Sequence, residues 1–352
     1  NTTGAQNTAI GRYALQNNQT ASGNTAMGYA SLISDTTGYD NTAHGQNCLY
    51  NNTTGLSNTG IGKNALLTNT TASQNTAVGS GALYTSTTSD NVALGFNSAY
   101  SQTTGSNTLA IGRNALFANT TGIQNVAVGN YALDAVTTSN YNVGVGYASL
   151  SSVTTGERNT GIGRSSGSAL TTGSYGVFLG YNTRPSGASS DFVTAIGYNV
   201  EGAAEYTTIG KSSSDIRALH GNATWATVSD ERYKKDIEHS TAGLDFVNDL
   251  KPRTFNYRNK GDLPTTFAAY EKDSTTPYKN SETNHGFIAQ EVKAAIDAHP
   301  DIKDGFRMWD SRDDGSQEVA EAALIPVLVK AIQELSAKVE ELQTEIKTLK
   351  GN

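Results

Sequence analysis

Charge is scarce at the start of this 352-residue chain: only 14 of its 57 Asp, Glu, Lys and Arg residues precede Lys211. A surface that neutralises phosphates needs clustered Lys and Arg. This stretch has no such cluster and the whole chain carries a formal net charge of −7, so nucleic acid is excluded as a partner. No uninterrupted apolar run approaches the roughly 20 residues of a spanning helix, so no membrane insertion is expected. The chain opens on Asn1-Thr2-Thr3, with neither Met nor a basic signal-peptide start, and reads as a piece of a longer protein. The single cysteine, Cys48, excludes an intrachain disulfide. It stands where other repeats carry Ala14 and Ala65, and is expected to pack as a small apolar residue.

What the first 210 residues do have is a repeat. Gly11, Gly28, Gly45, Gly62, Gly79, Gly95, Gly112, Gly129, Gly146, Gly163, Gly180 and Gly197 follow one another at spacings of 17, with one of 16. Each unit reads Thr-Thr-Gly, a variable pair, Asn-Thr-Ala-Ile-Gly, two variable residues and Ala-Leu, as in Asn7-Thr8-Ala9-Ile10-Gly11 with Ala14-Leu15. One unit is one coil of a solenoid. At about 3.3 Å per residue a coil has room for two short strands and two turns, with Gly supplying positive φ at the corners. The density of Gly, Thr and Asn excludes a helical repeat.

The residue before each glycine (Ile10, Met27, His44, Ile61, Val78, Leu94 and onward to Ile196) is nearly always a medium apolar one, and this column is expected to be the core stripe. One such residue and one Ala-Leu pair bury little apolar area against the entropy of ordering a coil. Three chains are therefore expected to share a core along a common axis. Asn7, Asn24, Asn41, Asn58, Asn75 and Asn91 recur in step, and either form an amide ladder between coils or only make turns. His44 breaks the apolar column. Three copies can converge on a threefold axis around an anion, a water or a metal, or the ring turns to solvent or a backbone partner. Over residues 1–210 the pattern resembles the head repeats of trimeric autotransporter adhesins and the similar repeats of phage tail fibres.

Regularity fades after Gly210, and the chain runs through Trp225 to Val228-Ser229-Asp230-Glu231-Arg232-Tyr233-Lys234-Lys235-Asp236-Ile237. Further on come Leu250-Lys251-Pro252-Arg253-Thr254-Phe255-Asn256-Tyr257 and Gly286-Phe287-Ile288-Ala289-Gln290-Glu291-Val292. Together these resemble the endosialidase-type C-terminal intramolecular chaperones of phage tail fibres and tailspikes, a match covering 229–350. The resemblance divides the chain into a shaft at 1–210, a junction at 211–228 and a self-processing α+β domain at 229–352 with a C-terminal helix at about 320–350. It implies a catalytic pair of Ser229 as nucleophile and Lys234 as base, cutting the Val228-Ser229 bond, with Asp230 and Glu231 as candidate assisting residues. A serine hydroxyl needs a base, and a lysine serves near neutral pH only if burial or a nearby cation such as Lys235 or Arg232 depresses its pKa. Five residues turn a helical side chain by about 140° and separate strand positions by roughly 17 Å. The pair must therefore meet across a turn or between protomers. The alternative is that Thr227 caps a helix through a Thr-x-x-Asp box to Asp230, leaving Ser229 an ordinary first-turn residue.

Ile325, Ile332, Val339 and Ile346 alternate with Leu328, Leu335, Leu342 and Leu349 at heptad spacing, a coiled-coil seam. β-Branched residues at one core position with Leu at the other favour two strands, whereas the resemblance implies three. Gln290 to Ala298 reads as a short amphipathic helix and Asp310 to Gly315 as a loop. His285 and His299 have no partners at metal-ligand spacing and are given structural roles.

The resemblance implies a homotrimer joined to the rest of a phage tail through a preceding N-terminal part. It further implies a virion-tail location, a host cell-surface glycan or protein receptor, and no cofactor. A polysaccharide-depolymerising tailspike needs paired carboxylates across a cleft, and the shaft has only eight scattered acids before Gly210, so that activity would lie outside this chain. A bacterial surface adhesin lacks here a membrane-anchoring barrel pattern. An ice-binding face wants Thr two residues apart, whereas Thr36-Thr37 and Thr53-Thr54 are adjacent.

Overall fold

The computed structural model describes residues 1–212, 214–221, 226, 227, 229–302 and 306–350. They form two compact units, Asn1–Asp230 and Glu231–Asn352.

The first unit is a β-solenoid of about twelve coils. Ten three-residue strands, running from β1 (Thr8–Ile10) to β10 (Thr160–Ile162), stack in parallel with residues of one coil directly over those of the next, as Thr8 over Thr25. The longer strands β11 (Val177–Tyr181), β13 (Thr194–Tyr198) and β15 (Tyr206–Lys211) continue the stack. Two antiparallel strands, β16 (Ser214–Leu219) and β17 (Ala226–Thr227), then end the sheet. A second strand per coil appears only late, where β12 (Arg184–Pro185) pairs with β14 (Glu201–Gly202). In the earlier coils the Ala-Leu segment turns instead through left-handed leucines such as Leu32, Leu49 and Leu66 at φ 48 to 52°. That conformation costs an L residue roughly 1–2 kcal/mol, and it carries each leucine into the interior, where all three are fully buried.

The column before the glycines is not the core of the chain. In every short strand after the first the middle residue is buried and its two neighbours are half-buried or exposed. Strand residues alternate faces, so turning Ala26, Ala43 and Ala77 inward turns Thr25 and Met27, Thr42 and His44, and Thr76 and Val78 outward. The apolar interior of most coils is thus one small residue, one leucine and the residue before it, with Ala99 replacing the leucine in one coil and Phe178 the small residue in another. Volume is traded between coils: Cys48 is fully buried with its thiol pushed up to about 12 by burial, and the adjoining strand carries Gly60. A Cβ at Gly60 would lie 2.4 Å from the Cys48 Sγ.

The coil glycines are required twice over. Gly28 has φ 141°, and a Cβ there would stand 2.6 Å from the carbonyl oxygen of Gly45. The asparagine column is a ladder bonded mainly side chain onto main chain, with amide-to-amide bonds added where the Asn58 Nδ2 donates to the Asn41 Oδ1 at 3.1 Å and the Asn142 Nδ2 to the Asn125 Oδ1 at 3.4 Å. The Asn41 N–H donates to the Asn24 Oδ1 at 2.8 Å and the Asn58 N–H to the Asn41 Oδ1 at 3.0 Å. Each amide nitrogen in turn donates to a carbonyl, as Asn41 does to Gly55 at 2.8 Å. Full burial of Asn24, Asn41 and Asn58 is thereby compensated.

Asp35 occupies a second buried column between Asn18 and Asn52, and the Asn52 Nδ2 donates to its Oδ1 at 3.0 Å. Burial pushes this carboxyl from 3.8 up to about 7, against hydrogen bonds from Asn52 and Gly38 that favour the ion. The folded chain then holds a proton that the unfolded chain releases. Stability falls as pH rises from 3.8 to about 7 and is level above that. Asp35→Asn restores the amide that Asn18 and Asn52 carry. It should remove this slope, raising the melting point by roughly 2–4 °C at pH 8 and little at pH 4, as melting curves at the two pH values would register.

The second unit is α+β. Helices α1 (Leu244–Asp249), α2 (Ala289–Ala298) and α3 (Ile325–Lys350) accompany two antiparallel pairs, β18 (Arg253–Phe255) with β19 (Asn284–Gly286) and β20 (Trp309–Ser311) with β21 (Gln317–Val319). The stretch Asp310 to Gly315 is therefore the end of a strand and a turn rather than a plain loop. Phe246, Val292, Ile296, Met308, Leu324 and Val327 form the core, with Phe306 edge-on to Phe246. Helix α3 turns Val327 and Ala331 inward, and the Glu334 carboxylate accepts the Leu244 N–H at 2.7 Å, closing the start of α1. The heptad residues lie off that face: Ile332 is 65% exposed and Leu349 77%.

Candidate functional site

Val228 lies outside the described residues. Ser229 and Asp230 close the first unit in backbone that belongs to no helix or strand, with Ser229 exposed and Asp230 half-buried. The second unit opens on a 3₁₀ turn, Glu231–Tyr233, whose end is fixed by the Lys234 N–H donating to the Glu231 carbonyl at 2.9 Å. Lys234 is exposed, and Lys235 pairs weakly with Asp236 at 3.9 Å. Glu231 is exposed in the first turn of this 3₁₀ segment.

The five positions from Ser229 to Lys234 contain a tight turn and no continuous regular element. The capped-helix alternative is not built, because Thr227 is paired in β17 opposite Ile216.

The two downstream motifs are brought together. Arg253 pairs with Gly286 across β18 and β19. Its guanidinium also grips Glu291 in the first turn of α2 with both Glu291 oxygens, Nε to Oε2 at 2.9 Å and Nη2 to Oε1 at 2.6 Å. That two-pronged hydrogen bond holds the Glu291 carboxyl below its ordinary value. The pairing joins residues 38 positions apart, and the only sequence signal for it was that one motif carries two cations, Lys251 and Arg253, and the other a single acid, Glu291. Elsewhere the Ala268 and Ser316 groups hold Asp314 down to about 2, fastening the 310–316 turn to the segment before it.

His299 pairs with Asp249 at 2.8 Å and sits edge-on to Phe246, and His285 lies exposed in β19 opposite Thr254. His44 ends its strand exposed on the outward face. No group of three His, Cys, Asp or Glu residues able to hold a metal occurs among the described residues, nor is any helix there long and apolar enough to cross a membrane.

A strongly repetitive β-solenoid followed by a small α+β unit and a long helix defines the class of protein. Residues 229–299 match the family described as chaperone of endosialidase, which is associated with autoproteolytic intramolecular chaperones. The matched span begins at Ser229 and ends one residue past α2. No curated protein and no solved structure matches the chain.

Proposed function

We propose that this chain is a segment of a trimeric phage tail fibre that attaches to a host surface, and that its C-terminal unit sets three chains in register and then cuts itself away. The observation that carries the reading is the start of the family match at Ser229, the residue the chemistry requires at the cut. The Ser229 Oγ attacks the Val228 carbonyl while Lys234 takes the hydroxyl proton. The carbon–nitrogen bond breaks as Lys234 passes that proton to the departing nitrogen, leaving an ester on Oγ and a free amino group, and water then hydrolyses the ester to a carboxyl and the restored hydroxyl. Asp230 and Glu231 orient the pair.

Trimerisation is supported by two apolar surfaces, one mostly half-buried and one exposed in the single chain. On the outward strand face Val92 and Leu94, Leu109 and Ile111, Val126 and Val128, and Val143 and Val145 stack into a continuous apolar band. On α3 the heptad seam is exposed from Ile325 to Leu349. Coils this alike specify their register poorly, which is the reason for a seed at one end. Once cut away, the seed no longer takes part in unfolding and the shaft persists kinetically.

Mass spectrometry tests the reading. Denatured protein should separate into two fragments meeting at Val228-Ser229, and the native shaft should weigh three copies. An intact, monomeric chain rejects it.

A further inference from the structure

The one irregular spacing in the shaft, 16 residues from Gly79 to Gly95, coincides with a break in its surface. Of the two residues after each coil glycine, at least one in every other coil is a sizeable side chain, as in Tyr29-Ala30, Lys63-Asn64, Phe96-Asn97, Arg113-Asn114 and Tyr147-Ala148. In the short coil they are Ser80-Gly81, so one rung of side chains is missing. The gap opens a groove of about 450 Å³, walled by Lys63 and Asn64 on one side and Phe96 and Asn97 on the other. Its flank is a row of rings: Tyr84 stacks on Tyr100 with centroids 4.7 Å apart at 17°, and Tyr100 on Phe117 at 5.6 Å and 18°. Gly81 keeps the groove open, since a Cβ there would stand 2.4 Å from the Asn97 Oδ1 and 3.3 Å from the Tyr100 ring.

The lining decides what fits. Aromatic faces and edges offer apolar contact to the C–H faces of a pyranose, while two amides, one hydroxyl and two phenols offer hydrogen bonds to its hydroxyls. Lys63 lines the groove, and one coil beyond it the Arg113 guanidinium lies over the Phe96 ring, 6.0 Å from its centroid. No acid lines it; Asp134 follows Phe117 in the same column one coil further on. These two cations in a shaft with so few charges match a carboxylate-bearing ligand. The apolar band proposed to meet other chains runs along the column before the glycines, whereas the groove lies after them.

We infer that the Lys63–Phe117 groove is a binding site for an acidic oligosaccharide, with Phe96 as the stacking platform, the ring edges and hydroxyls of Tyr84 and Tyr100 as its flank, and Lys63 as the partner of a sugar carboxylate. This rests on the attachment reading above and names the site and ligand class it leaves open. The test is retention of the assembled shaft on a printed panel of defined oligosaccharides, half bearing hexuronic or nonulosonic acids and half neutral. Wild type should be retained on acid-bearing members. Tyr100→Ala should weaken retention about tenfold, the loss of one aromatic anchor, and Lys63→Gln should erase the preference for acids. Gly81→Asn should fill the groove at a backbone conformation that Asn47, Asn64 and Asn97 hold in the same column at φ 55°, 59° and 52°, with the tip of the Asn97 side chain turning aside to make room. Unchanged retention by Gly81→Asn overturns the site while leaving attachment standing. Wild type bound to neutral members alone overturns the charge argument. A correctly cut trimer retained by no member overturns the site without touching the cleavage and assembly reading.

Discussion

Ser229→Ala should turn two bands on a denaturing gel into one, the uncut 37.0 kDa chain. The substitution deletes a single hydroxyl from an exposed position, so folding and assembly should be indifferent to it. Without an oxygen nucleophile no ester forms, and the peptide bond is left to uncatalysed hydrolysis, which is negligible over days. Lys234→Arg separates the roles further. A guanidinium keeps the charge and the length but cannot accept a proton at neutral pH, so cleavage should slow by about 10²–10⁴, the usual contribution of a positioned base. A cut that persists in Ser229→Ala, or an Arg variant cutting at the wild-type rate in a time course, removes the pair from the mechanism. If assembly brings the pair together, diluting the chain below its association range should slow the cut in the wild type as well.

Gly79→Ala should be among the most damaging single substitutions in the shaft, and Gly23→Ser close to silent, although both glycines have positive φ. Gly79 has φ 135°, where an L side chain is strained, and its added Cβ would lie 2.3 Å from the Gly95 oxygen and 2.6 Å from the Gly95 carbon. The atoms in the way are backbone of the next coil and cannot swing aside, so the stack must part locally. Strain and overpacking together cost about 3 kcal/mol or more per chain, a figure a trimer would multiply. Gly23 has φ 71°, a conformation that Gln6, Asp40 and Ser57 hold in the same column at 58°, 57° and 55°. The nearest atom to a Cβ there is the Asp40 Oδ1, the tip of a side chain that can turn. Thermal melting of the two variants should differ widely, and equal melting points would mean the coil glycines are there for chain flexibility rather than for stacking.

Period, solenoid and terminal helix were legible because each is written in residues that recur: Gly every 17 positions, Ala-Leu in step with it, and apolar residues at heptad spacing. The inward face of the strands was not. A three-residue strand places one residue on one side and two on the other, and its pattern does not say which side is the interior. Ile10 and its equivalents looked like the core because they are larger, yet the tight interior admits Ala26, Ala43 and Ala77 instead. The asparagine column was legible as a column but not in its bonding, since an amide serves a neighbouring side chain or a neighbouring backbone equally well. The Arg253–Glu291 grip depends on how β18 and α2 come together, which no local pattern encodes. Ser229 and Lys234 were reached through their resemblance to a family, and their chemistry awaits the gel.

The asparagine ladder has a direction. From Asn7 to Asn75, and again from Asn125 to Asn159, each side chain receives the N–H of the residue beneath it in the coil that follows in sequence and donates to a carbonyl of that same coil. A coil can seat its asparagine only when its C-terminal neighbour is already in place. Trimming coils from the Asn1 end frees one backbone N–H but leaves every remaining side-chain amide seated, while removing them from the other end leaves a bare side-chain amide at the new edge. The shaft is in this sense a one-way zip, and its slider belongs at the end where Ser229 lies.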